Sequence, residues 1–131
     1  MRKTILLFFF MLFSAPLFAN DAFAEENLQS LIDSMEEGAV LQLENKTYEG
    51  NIIIDKPIEI VGSENTVIKG DGTGNVISIK TEGAAIRNLT VTHSSMSRNS
   101  EEEYAGIKVY EDGNEIDRVT IKHSFHGIYL S

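Results

Sequence analysis

Apolar residues change their spacing once along this chain. Leu28, Leu31, Ile32 and Met35 fall at i, i+3, i+4 and i+7, which puts them on one helical face. Gly38 follows, the residue type that ends helices in the left-handed region. The sequence therefore predicts a short helix within residues 25–38. From Ala39 onward the period becomes two, in very short pieces: Leu41 and Leu43, Ile58 and Ile60, Ile77 and Ile79, Ile107 and Val109, Ile128 and Leu130. Each piece reads as an apolar-x-apolar strand with one inward face. Gly, Asn, Asp and Pro punctuate the intervals, as at Asp55-Lys56-Pro57, Gly70-Asp71-Gly72 and Asp112-Gly113-Asn114.

The distances between these pieces recur. Ile58 to Ile77, Ile60 to Ile79 and Val67 to Ile86 are each about 19 residues, and Ile107 to Ile128 is about 21. Ile86-Arg87-Asn88-Leu89-Thr90-Val91 matches Ile116-Asp117-Arg118-Val119-Thr120-Ile121 at an offset near 30, shared by Ile77 and Ile107. The longer offset implies an insertion in one repeat, placed in the polar stretch at about 93–103. Such repeats, built of short strands, indicate an all-β solenoid: a parallel β-helix over residues 39–131. Like positions would lie ~4.8 Å apart in parallel ladders and form inward columns. The helix would cap the first repeat. Nothing after Ile128-Tyr129-Leu130-Ser131 would cap the last, so the reading is of an N-terminal piece truncated at its C-terminal end.

The first 24 residues follow another logic. Arg2 and Lys3 precede an apolar run from Ile5 to Phe13, and Ala22-Phe23-Ala24 offers small residues to a signal peptidase. This is the layout of a secretory signal peptide over residues 1–24, with Glu25 as the new N-terminus. It implies a periplasmic or otherwise extracytoplasmic protein that is not inserted in the membrane after cleavage. Removing those residues leaves 9 Lys and Arg against 19 Asp and Glu. So acidic a domain argues against nucleic-acid binding, which needs clustered cations to meet phosphates. With no cysteine, it has neither disulfides nor thiolate ligands.

The run Ile52-Ile53-Ile54-Asp55-Lys56-Pro57-Ile58-Glu59-Ile60-Val61-Gly62, followed by Val67-Ile68-Lys69-Gly70-Asp71-Gly72, Val76-Ile77-Ser78-Ile79 and Ile86-Arg87-Asn88-Leu89-Thr90-Val91, resembles the start of NosD. NosD proteins are exported maturation factors for the copper enzyme nitrous oxide reductase. The resemblance covers nearly all of the chain beyond the signal segment. It implies a right-handed parallel β-helix and a non-enzymatic role in copper delivery. The implied partners are ABC transporter subunits, nitrous oxide reductase itself or a copper chaperone. Members of that family are several times longer than this chain. A carbohydrate-binding or polysaccharide-cleaving β-helix protein is the alternative.

Copper chemistry calls for imidazole, thioether or thiolate donors. The chain offers His93, Met96, His123 and His126 as candidate metal ligands. The offset that aligns the two repeats also aligns His93 with His123, so the pair is expected to meet at one corner. No tight motif such as HxH is present. Asp71-Gly72-Thr73-Gly74-Asn75 has Val76 where a calcium loop needs glycine, and reads as a turn. Glu115 and Asp117 alternate outward around Ile116 as solvated strand residues, so no catalytic pair is assigned. Glu101-Glu102-Glu103 reads as a solvated loop.

Overall fold

A computed structural model describes residues 27–98 and 101–131. The signal-like segment at 1–24 and the first residues assigned to the helix lie outside the described residues. The helix α1 spans Leu28–Ser34. The Asn27 side chain accepts the Ser30 backbone N–H at 2.8 Å, an N-cap that satisfies one of the donors a helix start leaves unpaired. Leu28 and Ile32 are buried, and Met35 is already extended.

Among the described residues ten strands follow: β1 (Val40–Gln42), β2 (Thr47–Glu49), β3 (Ile52–Ile54), β4 (Glu59–Val61), β5 (Val67–Lys69), β6 (Ile77–Ile79), β7 (Ala85–Thr92), β8 (Ala105–Val109), β9 (Glu115–Lys122) and β10 (His126–Leu130). They form two sheets in which every pairing is parallel. The larger sheet runs β1-β4-β7-β5-β2, with β9 on the far side of β7; the smaller runs β10-β8-β6-β3.

The eight-residue β7 organises the larger sheet. Its first part, Ala85 to Arg87, pairs with β4, and its last part, Thr90 to Thr92, pairs with β5. Asn88 lies between them at φ 59°, a left-handed conformation that Asn tolerates better than most residues. The sheet bends there into a half-barrel of two arms. Arg118 repeats the bend in β9 at φ 54°.

This arrangement corrects the right-handed parallel β-helix expected from the repeats. The structure instead holds two parallel sheets, and in the larger one β4 and β5 share the single neighbour β7. The registers assumed from the spacing of about 19 residues also fail, whereas those at the longer offsets, Ile107 with Ile128, Ile77 with Ile107 and Ile86 with Ile116, are the observed ones. Ile77 pairs with Ile52 and Ile107, not with Ile58, while Ile86 pairs with Ile60 and Val67 with Thr90. The physical reason is that a triplet such as Ile58-Glu59-Ile60 fixes only which side chains face inward. The ladder it joins is set by the lengths of the turns on either side, and these vary.

The core lies between the sheets. Ile54, Ile60, Ile68, Ile77, Ile86 and Ile107 are fully buried and belong to one cluster with Leu28 and Ile32 of α1. The helix covers the β3 edge. Gln29 reaches β3 with both ends of its amide, accepting the Ile53 N–H at 2.8 Å and donating to the Ile53 C=O at 3.0 Å. That satisfies backbone groups an edge strand leaves open. No helix among the described residues is long and apolar enough to cross a membrane.

Candidate functional site

The bends and strand ends of the larger sheet place the imidazoles. Thr92 closes β7 and pairs with Lys122, which closes β9. The next residues are His93 and His123, both left-handed at φ 67° and 50°. The His93 N–H donates to the Lys122 C=O at 3.3 Å, tying the two turns together. The rings consequently face each other, with centroids 5.1 Å apart and planes tilted by 39°. Both side chains are exposed.

Thr92 orients the pair. Its Oγ1 lies 2.8 Å from His93 Nδ1 and 3.3 Å from His123 Nδ1. A hydroxyl oxygen has two lone pairs. It can accept from both Nδ1–H groups, which leaves the Nε2 lone pair of each ring for a cation. Fixing the tautomer through the other nitrogen is the usual way a protein prepares an imidazole ligand. Thr92 itself is buried, so its hydroxyl is held by packing.

The other sequence candidates lie elsewhere in the fold. His126 opens β10, its Nε2 2.7 Å from a Glu103 carboxylate oxygen and its ring edge-on to Phe125. Met96 is exposed on the segment after the buried Ser94 and Ser95. Among the described residues, no group of three or more His, Asp or Glu is placed to hold a metal. The arrangement thus suits a two-imidazole, open site for a soft monovalent cation, and lacks the donor number a hard divalent ion needs.

Two polar clusters were not found from the sequence. Arg87, outward on β7, donates to Glu59 at 2.8 Å and, in a fork, to both Glu115 oxygens at 2.9 and 2.8 Å. Asp117 stands 3.5 Å away. The Arg87 bonds hold the Glu115 carboxyl below its usual range, while Glu115 and Glu59 push the guanidinium pKa upward. The signal was in the repeats: Arg87 sits opposite Val61 and Asp117, one step from Glu59 and Glu115. On the smaller sheet, Lys108 is buried between the rings of Tyr110 and Tyr129, with its ammonium 5.3 and 5.4 Å from the centroids and 3.5 Å from Glu102. The Asp71 turn closes on Thr73, whose hydroxyl and N–H both donate to the Asp71 carboxylate, lowering its pKa.

No family model, curated protein or solved structure matches this chain.

Proposed function

We propose that the chain is an exported, non-enzymatic accessory protein that assists copper delivery during maturation of nitrous oxide reductase, working beside an ABC transporter. The signal-like N-terminus and the residue runs similar to NosD support the cellular role. The chemistry rests on one observation: His93 and His123 face each other across 5.1 Å, with both Nδ1 atoms directed at the Thr92 hydroxyl.

Cu(I) is the cargo such a pair suits. It is soft, accepts imidazole donors, and tolerates low coordination. Two exposed neutral rings would bind it while leaving positions open for a partner's ligand. A carrier needs that openness, because a closed site of four donors would retain the ion. Thr92 acts as the positioning residue by holding the rings in the tautomer that presents Nε2.

The test is a competition titration of the purified chain with Cu(I) and a chromophoric chelator. His93→Ala and His123→Ala should each weaken binding at least about tenfold, roughly 1.4 kcal/mol. Thr92→Val should weaken it less and leave the fold intact. Affinity unchanged in the His93→Ala, His123→Ala double variant removes the proposal.

A further inference from the structure

The backbone that carries the imidazole pair is held in a conformation its residues do not favour. His93 and His123 both lie at positive φ, which strains a residue with a Cβ and persists only where neighbours over-determine it. For His93 those neighbours come from one turn, residues 70–74, directly after β5. The Gly70 N–H donates to the Thr92 C=O at 2.8 Å, and the Gly72 N–H to the His93 C=O at 3.1 Å. The Ser95 N–H donates in turn to the Gly74 C=O at 2.9 Å. The turn therefore grips the chain before, at and after His93. Asn51 gives the turn its shape, accepting the Asp71 N–H at 2.9 Å and donating to the Thr73 C=O at 2.5 Å.

The glycines of this turn serve different needs. Gly72 and Gly74 lie at positive φ. Gly70 does not, and what it supplies is space. A Cβ at Gly70 would stand 2.5 Å from the His93 carbonyl oxygen and 2.9 Å from Val76 Cγ2. The first distance is about 1 Å inside ordinary non-bonded contact. A backbone oxygen cannot swing aside as the end of a side chain can, so the His93 turn itself would have to move. We propose that Gly70 is a second positioning residue for the pair, acting on the backbone as Thr92 acts on the rings. The missing side chain lets the 70–74 turn close on the His93 carbonyl and seat the His93 ring against His123. Its consequence for metal capture rests on the copper role proposed above; the seating itself needs no metal. A ligand displaced by about 1 Å spoils a two-donor site, because both nitrogens must reach one ion.

Three variants separate seating from general destabilisation. Gly70→Ala inserts the clash. Gly62→Ala inserts a comparable one on β7 but at its bend, 2.7 Å from the Asn88 carbonyl oxygen. Asn51→Gly suits the φ of 62° and removes both bonds to the turn without adding an atom. In the metal-free chain, nuclear Overhauser contacts between the His93 and His123 ring protons should be present, persist in Gly62→Ala and vanish in Gly70→Ala. In competition with a chromophoric chelator, Gly70→Ala should weaken Cu(I) binding roughly tenfold, as loss of a ligand's supporting contact does. Asn51→Gly should weaken it in the same direction, and Gly62→Ala should leave it unchanged. Circular dichroism confirms that each variant is folded; should Gly70→Ala not fold, unaltered ring contacts in Asn51→Gly overturn the proposal. Ring contacts retained in a folded Gly70→Ala, or lost equally in Gly62→Ala, also overturn it. Ring contacts that follow Gly70 while Cu(I) affinity ignores the His93→Ala, His123→Ala double variant would uphold the seating and remove the copper role.

Discussion

At the scale of single residues, Arg87 shows how charge is managed on an acidic surface. Its side chain collects Glu59 from β4 and Glu115 and Asp117 from β9. Without it, three carboxylates would face one another. The Glu115 carboxyl is held low chiefly by its hydrogen bonds to Arg87. A group whose folded pKa is depressed contributes stability that is complete above the unfolded pKa, near ~4.3 for Glu. That contribution is lost as pH falls through the lower, folded value. Arg87→Met should therefore lower the melting temperature most at neutral pH. The gap to the unmodified chain should narrow below about pH 4, where the carboxylates protonate in both. Melting curves across pH 3 to 7, read against ~4.3 as the midpoint, check this. The histidine pair was legible at this scale because His93 and His123 follow equivalent runs. Thr92 was not, because the rotamer that aims a hydroxyl leaves no mark in a repeat pattern.

At the scale of elements, the long strands were easier to read than the short ones. β7 and β9 carry matching apolar positions over eight residues, and the offset joining Ile86 to Ile116 is their actual register. β2 and β3 escaped notice. Thr47–Glu49 has one apolar side chain, and Ile52–Ile54 is apolar throughout, so neither alternates. Missing β3 displaced the first register of the smaller sheet, since Ile77 was assigned to Ile58 when its partner is Ile52, while the offsets joining Ile77 to Ile107 and Ile107 to Ile128 are its actual registers. The helix was legible by its face but not by its length. It stops at Ser34, and its last carbonyls are bound by Lys56, whose ammonium donates to Asp33 and Met35 at 2.9 and 2.7 Å. A cation at a helix C-terminus is favourable to the dipole. Lys56→Met keeps the stem and removes both bonds. It should cost about 1–3 kcal/mol, the range for charged donors left unreplaced, measured by urea denaturation. A loss much smaller than that would mean water replaces the ammonium at no cost.

At the scale of the whole molecule, every strand pairing is parallel and joins residues about 19 to 30 positions apart. Stability is then unevenly shared, because a strand with neighbours on both sides opens only when both ladders break. β7 is the extreme case, bonded to β4, β5 and β9. Its amides should exchange slowest, at rates set by global unfolding. Among the described residues β9 pairs only with β7 and β10 only with β8, so their amides should exchange faster than those of β7. Hydrogen exchange read residue by residue checks this: amides of β9 or β10 as slow as those of β7 would mean that protection does not follow the number of ladders a strand joins.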